Sequence, residues 1–138
     1  MSMSAARVRF ALPFRRAARD ERGLETAEYV VIMPFFLLIV LTIVQGSLWY
    51  HGTNLTQAAA ANAYEAARLF DATSADGVAA GEATADQVGS VLSDVQVNVV
   101  RTPTEVTATV TAITPGLIPG VNTTVTKTIT GPVERWVP

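Results

Sequence analysis

From Val30 to Val44 the chain reads VVIMPFFLLIVLTIV, an apolar run interrupted only by Pro34 and Thr42. Extending the limits to Ala27 and Tyr50 adds no charge except Glu28. As a helix rising 1.5 Å per residue, positions 27–50 reach about 36 Å, which exceeds the roughly 30 Å of a bilayer's hydrocarbon core. A helix that is apolar on every side needs an apolar environment on every side. The rest of the chain is too small and too polar to supply one, so the pattern predicts a membrane span.

The pattern changes beyond the span. Ala58 to Phe70 is rich in alanine, the best helix former, and holds no breaker. One helix is therefore predicted from near Leu24 to near Phe70, about 70 Å long, with Gly46 and Gly52 as places where it bends. Ala58, Ala59, Ala61, Ala63, Ala66 and Ala67 give this helix a surface of little bulk, against which a small sheet or a neighbouring helix can lie closely. Asp71 to Gly81, full of small residues, reads as a loop. Thr84-Ala-Asp-Gln87 has the form of a capping box, with Val88, Val91, Leu92 and Val95 at helical spacing, and predicts a short helix at about 84–93.

Period-two alternation then takes over. Val95–Val100 and Val106–Ile113 read as strands joined by a turn at Arg101-Thr-Pro-Thr, and Val121–Ile129 as a third strand after two Pro-Gly breakers. Val106, Ala108, Val110, Val125 and Ile129 would cover the helices, leaving the threonines outside. Phe70 and Trp136 are the aromatic residues available to this thin core. The fold class is α+β: one long N-terminal helix, a short helix and an antiparallel sheet of about three strands. Three segments follow, a basic one at 1–23, the long helix at 24–70 and a small domain at 71–138.

Charge sets the orientation. Residues 1–23 carry six arginines against two acidic residues, whereas the remainder holds four basic residues against ten acidic ones. A basic start points to nucleic acid or to the cytoplasmic side of a membrane. The apolar run that follows selects the membrane, with the N-terminus inside, the C-terminal domain outside and no nucleic-acid partner. Trp49, Tyr50 and His51 then fall where an outer interfacial belt is expected. The run exceeds an ordinary signal-peptide core, and no small-residue cleavage site directly follows it. Absence of cysteine excludes disulfides, thiol chemistry and cysteine-bound metals.

The segment Arg22-Gly23-Leu24-Glu25-Thr26-Ala27-Glu28-Tyr29 stands directly before the apolar run. A glycine, four residues and a glutamate-aromatic pair at the mouth of a transmembrane helix resembles the processing site of class-IV prepilins. More narrowly it resembles the TadE group of the tight-adherence (Tad/Flp, type IVb) pilus system. Pro34 lies where TadE-like proteins commonly carry a proline, and Ala63-Tyr64-Glu65-Ala66-Ala67-Arg68 resembles their small-residue stretch ending in arginine.

The resemblance implies a pilin-like fold and a structural minor pilin or pseudopilin. A membrane prepilin peptidase would cut between Gly23 and Leu24 on the cytoplasmic side. Glu28 and Tyr29 would set register in assembly, with Glu28 pairing to the Leu24 ammonium of an adjacent subunit. Implied partners are that peptidase, other pilins or pseudopilins, the Tad inner-membrane platform and the bilayer. On physical grounds Gly23 lets a protease approach the backbone and interrupts the helix that Leu24 begins. Glu28 is costly at the hydrocarbon edge unless paired, and Glu25 and Glu28 also suit a helix N-terminus.

No catalytic constellation emerges. The single histidine, His51, lies at the membrane boundary without an orienting acid, and no glycine-rich phosphate loop exists. Asp71 and Asp76 match a calcium loop only superficially. No enzyme activity, metal or cofactor is expected. A different class of reading stays open: an uncleaved, signal-anchored binding or adhesion module.

Overall fold

The computed structural model describes residues 21–135 and residue 137. The basic segment up to Asp20 and the aromatic Trp136 lie outside the described residues. Six elements follow in order: α1 (Glu21–Arg68), α2 (Ser74–Gln87), a 3-10 turn (Gly89–Val91), β1 (Ser93–Arg101), β2 (Glu105–Thr114) and β3 (Thr123–Pro132). The chain divides into two compact units at Leu37/Leu38.

In the first unit, the described residues form the opening of α1. Helix α1 starts at Glu21 and continues through Gly23 and Pro34. Gly23 therefore does not interrupt it, correcting the expected break. A glycine inside a helix costs only about 1 kcal/mol relative to alanine, which the neighbouring turns absorb. Tyr29 to Leu37 are exposed throughout, as are the bulky residues on to Val44 in the second unit. The helix is long and apolar enough to cross a membrane, and none of its most apolar 18-residue stretch is buried. Thr42 and Ser47 donate their hydroxyls to the carbonyls of Leu38 (2.7 Å) and Ile43 (2.9 Å), so these polar groups are satisfied within the helix.

In the second unit, three antiparallel strands lie in the order β1-β2-β3. Along β2, every second residue from Val106 to Thr114 is buried, as alternation predicts. The opposite face carries threonine pairs across the β2–β3 ladder: Thr107–Thr130, Thr109–Thr128 and Thr111–Thr126, with hydroxyls 3.1–3.2 Å apart. The β1–β2 turn is closed by Thr102 and Glu105, which exchange backbone and hydroxyl hydrogen bonds of 2.8–3.0 Å. Near Ser93–Gln96 the register shifts, with Asp94 at φ 48°.

The sheet's inner face covers the C-terminal part of α1. Gly52, Thr56, Ala59, Ala60, Ala63 and Ala67 are buried along one stripe of the helix. Ala63 and Ala67 pack with Val99, Val106 and Ala108, and Ala59 and Ala60 with Val110. Of the alanines expected to form such a surface, Ala59, Ala63 and Ala67 are buried in it, Ala61 and Ala66 are half-buried and Ala58 is exposed, while Ala60 joins the contact. Gly52 marks a close approach, because a Cβ there would collide with the methyl of Thr114.

Four expectations are corrected. The loop predicted at Asp71–Gly81 is largely α2, and the helix predicted at 84–93 ends at Gln87, its remainder being a turn and the start of β1. The true capping box is Thr73 with Asp76, whose side chain and backbone bonds are reciprocal. Helix α2 buries Gly77, Gly81 and Ala85, one per turn. A Cβ at Gly77 would stand 2.8 Å from both the Ala63 carbonyl oxygen and the Ala67 methyl, and one at Gly81 would stand 2.8 Å from Val97. Only hydrogen atoms fit there, so α2 lies close over α1 and β1. Phe70 is 66% exposed and does not enter the core. Tyr64 packs against it instead.

Candidate functional site

Two places on α1 concentrate the residues singled out in the sequence. At its opening, Gly23 is exposed, and a Cβ built there would meet nothing within 4 Å. Glu28 and Tyr29 are exposed as well, with Tyr29 at 73%. The backbone of Leu24 is helical, one turn before Glu28. Pro34 lies inside the helix on the same exposed segment. Proline lacks the N–H that would bond the carbonyl of Val30, and its ring crowds that carbonyl.

The second place is the far end of α1, where the chain is locked rather than exposed. The last carbonyls of a helix have no partner within it and need one from elsewhere. Arg101, projecting from the end of β1, donates from Nε to the Ala67 carbonyl at 2.8 Å and from Nη2 to the Leu69 carbonyl at 3.1 Å. The backbone N–H of Glu134 donates to the Arg68 carbonyl at 2.9 Å. A guanidinium at a helix C-terminus also complements the negative end of the macrodipole.

Arg68 ties the same corner together. Its guanidinium stands 5.6 Å from the ring centre of Tyr64 and makes ion pairs of 3.3 Å with Glu65 and Glu134. The Tyr64 hydroxyl reaches the Pro132 carbonyl at 3.4 Å. Residues from three parts of the sequence, Tyr64–Arg68, Arg101 and Pro132–Glu134, therefore meet at one end of the sheet. Arg101 was not singled out in the sequence. A basic residue closing a strand, before a turn, carries no signal of the helix end it will cap.

Asp76 is committed to structure. Its carboxylate accepts from the Thr73 hydroxyl and backbone N–H, each at 2.7 Å, and these bonds hold its pKa below the ordinary value. Among the described residues no group of histidine and carboxylate side chains could hold a metal ion.

Residues 23–68 match the family model described as TadE-like protein. Over this stretch the chain is similar to TadE-like proteins. The match covers about a third of the chain, opens on Gly23 and closes on Arg68, the last residue of α1. The exposed apolar helix within it fits a single-pass membrane anchor. No curated protein and no solved structure gives a match. The sheet and α2 lie outside the matched segment, yet they close on its last four turns, from Gly52 to Ala67.

Proposed function

We propose that this chain is a structural minor pilin or pseudopilin of a Tad (type IVb) pilus or related secretion apparatus. The observation that carries the reading is the TadE-like match from Gly23 to Arg68 over a helix whose bulky residues 29–44 are exposed. A prepilin peptidase cuts after Gly23 at the cytoplasmic face. The N-terminal arginines hold that end inside, and the sheet stands outside the cell. The role is one of assembly, not catalysis.

An exposed glycine without neighbours suits peptidase access to the backbone. Cutting creates an ammonium on Leu24, one turn before Glu28. In a filament or complex, Glu28 pairs with the Leu24 ammonium of an adjacent subunit. Such a pair adds little net stability but fixes register, because a mismatched register leaves a bare charge at the hydrocarbon edge. The apolar flank and Tyr29 then meet lipid before assembly and other pilin helices after it.

Two variants test this in a strain with the Tad machinery. Gly23→Val is expected to abolish the size shift of cutting. Glu28→Gln is expected to leave cutting intact and to weaken incorporation into the assembled complex. Normal assembly of Glu28→Gln at both low and high pH would sink the pairing. An uncut wild-type chain would favour the anchored binding or adhesion module.

A further inference from the structure

In the connection from β2 to β3, the stretch Pro115-Gly-Leu-Ile-Pro-Gly-Val121 that precedes Asn122 holds no charged residue. It turns its bulky side chains outward: Ile118 is 64% exposed, Val121 51% and Leu117 43%. These three residues line an apolar groove of about 280 Å³ together with Leu38, Leu41, Thr42 and Gln45 of α1. The helix wall of the groove thus belongs to the apolar run that reads as the membrane span.

Backbone chemistry separates this loop from an ordinary solvated one. In an apolar layer each unpaired N–H costs several kcal/mol, roughly, so lipid-facing loops are excluded unless those groups are satisfied. Pro115 and Pro119 have no N–H. The Leu117 N–H donates to the Gln45 side-chain oxygen at 2.8 Å, and the Val121 N–H to the Ile118 carbonyl at 3.0 Å. Four of the seven positions therefore present no N–H that needs water. Gly120, at φ 85°, allows the chain to reverse at the tip. The one hydroxyl in the groove, that of Thr42, is spent on the Leu38 carbonyl.

Depth agrees with an interfacial position. Leu38 lies seven residues before Gln45, about 10 Å along the helix, and interfacial apolar elements sink roughly 5–10 Å. Gln45, Gly46 and Ser47 form the first polar cluster after the apolar run. Placing the outer hydrocarbon edge at Gln45 leaves residues 27–45 inside, close to 30 Å of helix. Trp49 and Tyr50 then stand in the headgroup layer.

From this geometry we infer that the Pro115–Val121 loop is a second membrane-contacting element. Its tip enters the outer leaflet beside α1, and the groove between them takes a lipid acyl chain. The inference rests on the membrane-anchor reading. It adds a contact that holds the sheet against the bilayer surface and lies beyond the TadE-like segment.

The chain has no cysteine, so single labels can be placed in the full-length protein. Nitroxides at Ile118→Cys, Leu41→Cys and Thr104→Cys, in vesicles of phosphatidylcholine and phosphatidylglycerol at high lipid-to-protein ratio, are exposed to oxygen and to a water-soluble nickel chelate. Expected are oxygen-dominated collisions at 41 and 118 and nickel-dominated collisions at 104, in the β1–β2 turn. Nickel-dominated collisions at 118 with oxygen dominance at 41 would overturn the loop's insertion alone. Nickel access at 41 as well would overturn the anchor reading beneath it. Protection at 118 from both reagents that vanishes on dilution with lipid would assign the groove to a second copy of the chain and overturn the lipid assignment.

Discussion

Along α1, residues 29–44 and residues 52–67 sit in opposite environments. The first stretch is bulky, branched or aromatic, and exposed almost throughout. The second presents glycine, threonine and alanine on one stripe, buried down to zero exposure at Thr56, Ala59, Ala60, Ala63 and Ala67. Large side chains gain most when something outside the chain takes them out of water. Small ones gain by letting backbones approach, so that the β2 face and α2 close over the helix. One helix therefore serves two surfaces, and its side-chain volume tells them apart better than its hydrophobicity does.

Enlarging a small residue on the buried stripe is expected to have the greatest effect. Ala63 lies beneath Gly77 and Gly81 of α2 and packs with Val99 and Val106. Ala63→Leu should destabilise the packing of the sheet and α2 on α1 by about 3 kcal/mol through overpacking. A thermal melt of the detergent-solubilised full chain should fall by more than about 10 °C. An unchanged melt would mean that α2 does not lie closely over α1.

Next in size is the helix-end lock. Arg101→Met keeps the length of the side chain but removes the donors to the Ala67 and Leu69 carbonyls. A loss of about 1–2 kcal/mol is expected, with faster amide exchange confined to the last turn of α1. Thr73→Ala should cost about 1 kcal/mol through the lost N-cap. It also removes the hydroxyl donor, the larger of the two causes that lower the Asp76 pKa, and leaves the backbone N–H donor in place. In the wild type this carboxylate contributes stability above its unfolded pKa and loses it as pH falls through the depressed folded value. An acid melt series should therefore show a smaller drop for Thr73→Ala than for the wild type.

The smallest effect is expected on the exposed stretch. Leu37→Ala should leave the melt within about 0.5 kcal/mol of the wild type. A large drop would erase the contrast between the two stretches.

Much of this was legible in the sequence because the relevant periods are long and uninterrupted. The span, the alanine helix and the inward face of Val106, Ala108 and Val110 all follow from repetition. Helix α2 was not legible in that way. Its run Ser74–Gln87 is built from small residues and two glycines, which weaken helices and suggest loops. Its signal lay in Thr73 and Asp76 as a capping box, and in Gly77, Gly81 and Ala85 at four-residue intervals, a spacing that means close packing. Phe70 misled for a related reason. A lone aromatic beside a thin core looks like its centre, yet here alanines and Tyr64 fill the space. The Gly23-to-Tyr29 motif was readable as a pattern, whereas the helix-end lock joins residues more than thirty positions apart and emerges only in the fold.

The central claim is that α1, as it works in the membrane, begins at the glycine junction. The most direct measurement is N-terminal sequencing with intact mass of the full chain, extracted from membranes of a cell carrying a prepilin peptidase. The account predicts a mature chain that begins at Leu24, with the preceding residues removed. A chain that begins at Met1 or Ser2 under those conditions would contradict it.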